Sequence, residues 1–505
     1  MRWLLNLSFL TIVMGVCALA MFVPMMHGLA VRDWLTARSF FYSGTLFLIL
    51  TVLIAIANYN TRSSKLARSH LVAMLAVFTV LPLMLAVPFH EAVRNTTFLN
   101  SYFEMVSSLT TTGATLFLDP GRLAPSVHLW RALVGWLGGY FIWLTAIAIL
   151  APMNLGGFEV TAPAAVGRGA RQAGGAVYRT DPRERLIRFN VQLMPVYAVL
   201  TGALWLFLIL GGETPLVAAC HAMAVLSTSG ISPVGGMQGA SGGILGELLI
   251  FVFLGFALSR QTFASGLRAE TVARLSGDKE FRMGLLAVVA VPLLLFLRHW
   301  LGAYEVAEQQ NFGAALRALW GSVFTVLSFL TTTGFTSADW AEMRNWSGLQ
   351  TPGLILAGLA MMGGGVATTA GGVKLLRVYA LYKHGLRELE KLYYPSSVGG
   401  AGAMARLIRR EGAHIAWVFF MLFALSVAVV MAALSLTGLT FEETVVLAVS
   451  SLSTTGPLAA VAAEAPIRYS GLGDAAKLIL AAAMVLGRLE TLAIIALLNP
   501  GFWRQ

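Results

Sequence analysis

Leu109-Thr110-Thr111-Thr112-Gly113 closes a short apolar segment, and the same pattern recurs three times further along the chain. The later copies are Leu226-Ser227-Thr228-Ser229-Gly230, Leu330-Thr331-Thr332-Thr333-Gly334 and Leu452-Ser453-Thr454-Thr455-Gly456. All four fit Leu-[Ser/Thr]-Thr-[Ser/Thr]-Gly, and the glycines follow one another at 117, 104 and 122 residues. The apolar segments they end, at about 97–109, 214–226, 315–330 and 441–452, are too short to cross roughly 30 Å of hydrocarbon. Inside a membrane protein such segments read as re-entrant helices. One pentapeptide would mean little; four, each after a short apolar segment, are an internal repeat.

The surrounding chain supplies the membrane. Its 505 residues are 57% hydrophobic and only 12% charged, where soluble domains carry roughly a quarter charged residues. Ten longer apolar runs read as spanning helices, near 3–26, 40–58, 70–89, 129–152, 188–211, 243–264, 282–301, 351–381, 412–436 and 474–498. The first follows Arg2 but is longer than a signal-peptide core and is followed by a second span, so it reads as a retained helix. The expected fold is an all-α polytopic membrane protein with four helix–pore-helix–filter–helix repeats around one pore, preceded by two extra N-terminal helices. The divisions fall at 1–60 for the N-terminal pair and at 61–160, 161–270, 271–395 and 396–505 for the repeats. Cys17 and Cys220 sit in apolar surroundings and suggest neither a disulfide framework nor a metal cluster.

The net charge of +11 is concentrated in four clusters. They are Arg62, Lys65 and Arg68; Arg168, Arg171, Arg179, Arg183, Arg185 and Arg188; Arg260, Arg268, Arg274, Lys279 and Arg282; and Lys383, Arg387, Lys391, Arg406, Arg409 and Arg410. An even number of crossings separates consecutive clusters, so all four fit on one side, which the positive-inside rule makes the cytoplasm. Both termini then lie there too. The basic balance reports topology and not nucleic-acid binding.

A cation that enters a membrane exchanges its water for other oxygens, and backbone carbonyls of an extended loop can supply them. Irregular backbone is tolerated at that depth only where it lines a cavity. Glycine reaches φ > 0 without a Cβ clash, while Thr and Ser add hydroxyl oxygens that do not ionise. The candidate cation ligands are therefore Thr111, Thr112 and Gly113; Thr228, Ser229 and Gly230; Thr332, Thr333 and Gly334; and Thr454, Thr455 and Gly456. None is charged, which suits weak, reversible coordination. The plainer alternative, that Thr/Ser-Gly merely caps each short helix, leaves the shared Thr two residues before every Gly unexplained.

At these residues the chain resembles the TrkH/KtrB family of potassium uptake proteins, in a superfamily with the plant HKT and fungal Trk transporters. Trp130-Arg131 followed by Trp136-Leu137-Gly138-Gly139 is similar to the family pattern after the first filter. Met362-Gly363-Gly364-Gly365 running to Thr369-Ala370-Gly371-Gly372-Val373-Lys374 is similar to the glycine-rich interruption in its third repeat, and Gly487-Arg488-Leu489-Glu490 to its final helix. The resemblance covers nearly the whole chain from about residue 60, and the two additional N-terminal helices favour the TrkH branch. It implies K⁺ as the transported ion, bound in the filter, in the cell inner membrane. It also implies a homodimer with one pore per subunit and a cytosolic ring of TrkA-type nucleotide-binding regulatory subunits. Two loops depart from the family pattern: the second reads Thr228-Ser229-Gly230-Ile231, where a second Gly is expected after the Thr, and Ser453-Thr454-Thr455-Gly456-Pro457 lacks the Asn often found there.

Charges near the spans add candidates. Arg488 lies about fourteen residues into the last helix; an Arg at a helix centre costs roughly 2.5–3.5 kcal/mol on insertion scales. It reads either as an electrostatic barrier below the filter or as a side chain that snorkels or pairs structurally. The five glycines between Gly363 and Gly372 cannot sustain a helix. They read as a movable intramembrane loop, with Gly364, Gly365, Gly371, Gly372, Lys374 and Arg488 as gate candidates, or alternatively as close helix packing. Glu104 and Glu443, in the first and fourth short helices, either draw cations or brace the filter, and His221 reads as a packing residue. No HExxH, GxSxG, P-loop or paired His/Asp cluster lies at a membrane-facing site, so an enzyme is not expected. The competing reading is a Na⁺-selective or poorly selective transporter on the same scaffold; coupling to a second ion as a symporter is open.

Overall fold

The computed structural model describes residues 7–58, 66–150, 182–259, 277–303, 312–347, 352–394 and 413–489. Every element among them is helical. Seven helices are long and apolar enough to cross a membrane: Phe9–Ala30, Trp34–Ala57, Leu71–Val93, Pro125–Ala148, Arg185–Leu210, Lys279–Leu297 and Ala413–Ser435. Their outward faces carry exposed apolar side chains, including Leu46, Leu53, Val199, Leu210 and Leu294, the surface that lipid covers.

The chain is an all-α polytopic membrane protein. Two N-terminal helices, Phe9–Ala30 and Trp34–Ala57, precede four repeats of helix, short helix, pentapeptide loop and helix. The short helices are Phe98–Leu109, Pro215–Ser227, Phe312–Leu330 and Phe441–Leu452. Their starts carry ordinary stop-and-go signals. The Thr97 hydroxyl accepts the Asn100 N–H, Pro215 takes the first helical position, and Thr440 with Glu443 forms a capping box. Glu443 is thereby assigned to helix capping at a half-buried position at the start of the helix, away from the pentapeptide.

Small residues let the second helix of a repeat press against the short one. A Cβ on Gly138 would lie 1.9 Å from the Leu109 carbonyl oxygen, and one on Gly487 would lie 2.2 Å from that of Leu452. These are equivalent contacts in the first and fourth repeats.

Three expected spans differ. The run expected at 351–381 is broken: Gly353–Met362 is helical, residues 363–374 are irregular, and Leu375–Tyr393 resumes. Gly363 and Gly372 take φ of +71° and +75°, which ends an α-helix. The run expected at 243–264 is the short helix Gly243–Leu254 with a 3₁₀ turn to Ala257. The last span is described only as Asp474–Leu489. Arg62, Lys65, Arg168, Arg171, Arg179, Arg260, Arg268, Arg274, Arg406, Arg409, Arg410 and Glu490, with the four repeat boundaries, lie outside the described residues.

Candidate functional site

The four pentapeptides meet. A Cβ on Gly113 would lie 2.0 Å from the Ser229 carbonyl oxygen, and one on Gly230 would lie 2.1 Å from that of Thr333. One on Gly334 would lie 2.9 Å from Pro457, and one on Gly456 would lie 2.2 Å from the Ala114 nitrogen. Loop one thus touches two, two touches three, three touches four and four touches one. The loops close a ring.

Each loop leaves its helix by the same device. The middle threonines Thr111, Thr228, Thr332 and Thr454 are left-handed, with φ of 54°, 53°, 58° and 55°. Their N–H groups donate to Ser108, Val225, Phe329 and Ser451 at 2.9, 3.2, 3.1 and 3.2 Å. The next N–H groups, of Thr112, Ser229, Thr333 and Thr455, donate to Ser107, Ala224, Ser328 and Ser450 at 2.8, 2.9, 2.9 and 2.8 Å. This paired pattern is a Schellman cap. Capping is therefore part of what the pentapeptide does, but the left-handed residue is Thr and the Gly lies two positions beyond it. A β-branched residue in that conformation costs about 1–3 kcal/mol, whereas Gly would cap without strain. Four strained threonines at one position are more than a cap needs.

All four threonines are buried, at 0–1% exposure. No N–H or O–H among the described residues donates to the carbonyl oxygens of Thr111, Thr228, Thr332 or Thr454. The hydroxyls of Thr111 and Thr454 also lack partners. Buried carbonyls are nearly always paired, so four that no described residue satisfies are oxygens able to serve a dehydrated cation. Among the described residues no three His, Cys, Asp or Glu side chains gather as a metal cluster. The chemistry on offer is that of neutral oxygens.

The chain leaving the ring is braced from the short helices. Nine residues before each of the first three glycines stand Glu104, His221 and Thr325. Glu104 accepts the Leu116 N–H at 3.1 Å, His221 Nε2 lies 2.9 Å from Ser232 Oγ, and Thr325 Oγ1 accepts the Ser337 N–H at 3.2 Å. The fourth repeat has Leu447 at this position. Glu104 also meets Arg131 at 2.5 Å with both side chains buried. Glu247 adds a second carboxylate brace, accepting from Ser337 Oγ, the Ala338 N–H and Trp320 Nε1. Removing one partner of a buried ion pair strands the other charge and costs about 3–5 kcal/mol. Glu104→Gln is accordingly expected to lower the thermal midpoint of the detergent-solubilised protein sharply; an unchanged midpoint would remove the bracing role.

The glycine-rich segment lies against the ring. Its Gly371 N–H donates to Thr332 Oγ1 at 2.7 Å, and Thr369 Oγ1 donates to the Leu226 carbonyl at 2.9 Å. A Cβ on Gly371 would lie 2.2 Å from Thr454 Oγ1. Gly364 and Gly365 press on the backbone of Ala257 and Leu258. Lys374, 8% exposed, donates to the Ala370 carbonyl. Arg488, 4% exposed, donates from Nη1 to the Thr369 carbonyl at 2.8 Å. Five of the six gate candidates thus belong to one segment that touches loops two, three and four, and the sixth, Arg488, bonds to it.

Comparison with known proteins agrees with this architecture. A family model described as TrkH, cation transport protein, matches residues 281–500. The Trk system potassium uptake protein TrkH of Escherichia coli strain K12 is 28% identical over 491 residues, 96% of each chain. The chain is similar to TrkH proteins over nearly its whole length. The TrkH protein of Vibrio parahaemolyticus is 29% identical over 80% of each chain, and TrkG of Escherichia coli K12 is 25% identical over 99% of this chain and all of TrkG. The crystal structure titled as the potassium transporter TrkH from Vibrio parahaemolyticus superposes with a TM-score of 0.81 at 24% identity, covering all of both chains, and so shares the fold. This similarity to named membrane transport proteins is in keeping with the spans.

Proposed function

We propose that this chain carries K⁺ across the cytoplasmic membrane through the ring of four loops. One observation carries the reading: four buried, left-handed threonines hold four carbonyl oxygens that no described residue satisfies. A dehydrated monovalent cation is a fitting partner, because neutral carbonyl dipoles replace its water without trapping it. The relatives named as potassium uptake proteins point to K⁺ among the monovalent ions. The coordinating set is Thr111 to Gly113, Thr228 to Gly230, Thr332 to Gly334 and Thr454 to Gly456.

The glycine-rich segment with Lys374 and Arg488 is the gate in this reading, since it abuts the ring and is held by buried cations. The resemblance further supports a homodimer, a cytosolic TrkA-type nucleotide-binding partner, basic loops and both termini in the cytoplasm, and repeat boundaries near residues 60, 160, 270 and 395. ⁸⁶Rb⁺ and ²²Na⁺ uptake by the purified protein in liposomes tests the central claim. Saturable Rb⁺ uptake well above Na⁺ uptake is expected. Equal or Na⁺-dominated uptake would transfer the assignment to a Na⁺ or unselective carrier on the same scaffold.

A further inference from the structure

The ring is not four-fold at its glycine end. Gly113, Gly230 and Gly334 have φ of +71°, +64° and +85°, and Gly456 is absent from the left-handed region. No described residue donates to the carbonyls of the first three. The Gly456 carbonyl instead accepts the Tyr469 hydroxyl at 3.0 Å, the Ala459 N–H at 3.2 Å and the Ser450 hydroxyl at 3.4 Å. The Gly456 N–H donates to the Thr112 carbonyl at 2.6 Å.

Pro457 explains the difference locally. It fixes φ at −60° and opens the short helix Leu458–Val461 immediately after the glycine. The Thr455 and Gly456 carbonyls become the first acceptors of that helix, bonded by the Leu458 and Ala459 N–H groups. Tyr469 and Ser450, whose hydroxyls are 2.8 Å apart, lock the arrangement from behind. The proline ring then packs against the adjacent third loop and reaches toward the second. A Cβ on Gly334 would meet it at 2.9 Å and one on Gly230, in the diagonally opposite loop, at 3.3 Å.

A carbonyl whose lone pairs are engaged by three donors has none to offer a cation. We propose that the glycine level of the ring holds its ion with three backbone carbonyls and retained water on the Pro457 side. Tyr469 is the positioning residue that keeps Gly456 out of that ring. The inference rests on the reading of the ring as a K⁺ path. Its consequence is a division of labour. The ion enters or leaves the glycine level only partly dehydrated and weakly held, while the threonine level, with four open carbonyls, performs the discrimination.

Tyr469→Phe removes the hydroxyl and keeps the ring against Phe103, 5.9 Å away between centroids. With the Gly456 carbonyl freer to turn inward, Rb⁺ should bind more tightly and leave more slowly. The expected result in liposomes is a half-saturation concentration lowered about three- to tenfold, a lower maximal flux and a smaller Na⁺/Rb⁺ flux ratio. Ser450→Ala should shift all three in the same direction by less. Unchanged half-saturation and ion ranking in both variants would overturn the proposal. If Tyr469→Phe does not fold, Ser450→Ala decides together with Rb⁺-dependent thermal stabilisation in detergent: a midpoint reached at lower Rb⁺ than in wild type supports the proposal, and an unshifted one overturns it. Wild-type protein without saturable Rb⁺ flux would instead remove the transport reading itself, so the two failures are distinguishable.

Discussion

Gly113→Ser is expected to collapse discrimination between Rb⁺ and Na⁺ while leaving most of the protein folded. Two costs coincide at this residue. Its φ of +71° is strained for any side chain, and a Cβ would sit 2.0 Å from the Ser229 carbonyl oxygen of the neighbouring loop. That neighbour is backbone, so relief comes only by moving one loop relative to the other, and the moving atoms are proposed ion ligands. Strain of about 1–3 kcal/mol placed on the ring corresponds to a change of about 5- to 150-fold in an equilibrium that depends on its geometry. The short helices around it stay packed, so protein level should fall less than selectivity. Gly230→Ser should behave alike, because its φ is +64° and a Cβ would lie 2.1 Å from the Thr333 carbonyl. The measurement is paired ⁸⁶Rb⁺ and ²²Na⁺ uptake normalised to folded protein. A well-expressed Gly113→Ser protein that ranks the ions as wild type does would show that the pentapeptide ring is not the selective element.

Much of this site was legible because the repeat is written in short-range pattern. The short helices Phe98–Leu109, Pro215–Ser227 and Phe441–Leu452 lie within one residue of the segments expected from apolar length, and only the third starts earlier, at Phe312. The break at Gly363–Gly372 follows from glycine density alone. What escaped depends on contacts between distant residues. The pairing of Glu104 with Arg131, the Glu247 brace of Ser337 and the Tyr469 lock on Gly456 join positions 27, 90 and 13 residues apart. No periodicity encodes them. One signal was available: aligning the repeats on their glycines puts Glu104, His221 and Thr325 in a single column, with Leu447 as the odd member. That column marks polar side chains in apolar helices at a fixed distance from the loop, the pattern expected of braces. The left-handed threonines were hidden for another reason. Sequence preference assigns positive φ to Gly, and here the ring imposes it on Thr.

Arg488 carries the second large expected effect, and the geometry separates two versions of its role. As a bare positive charge beside the path, it would raise the barrier by Coulomb repulsion, and any cation at that position would serve. The structure adds a specific bond: Nη1 donates to the Thr369 carbonyl, and Thr369 Oγ1 donates to the Leu226 carbonyl at the end of the second short helix. Arg488 thus ties the last helix to the glycine-rich segment, which is itself bonded to Thr332 through Gly371. A latch of this kind holds the segment against the ring. A hydrogen bond from a charged donor contributes about 1.5–3 kcal/mol, so its loss should move an open–closed balance by about 10- to 150-fold. Rb⁺ flux per folded molecule is therefore expected to rise strongly in Arg488→Ala and Arg488→Gln. Arg488→Lys distinguishes the versions, because it keeps the charge but loses the planar fork that reaches the carbonyl. A pure charge barrier predicts wild-type flux in the Lys protein, whereas a latch predicts a value between wild type and Ala. A third outcome, lower flux in Ala and Gln with recovery in Lys, would mean that the charge supports the conducting state, and the gate assignment for Arg488 would fall.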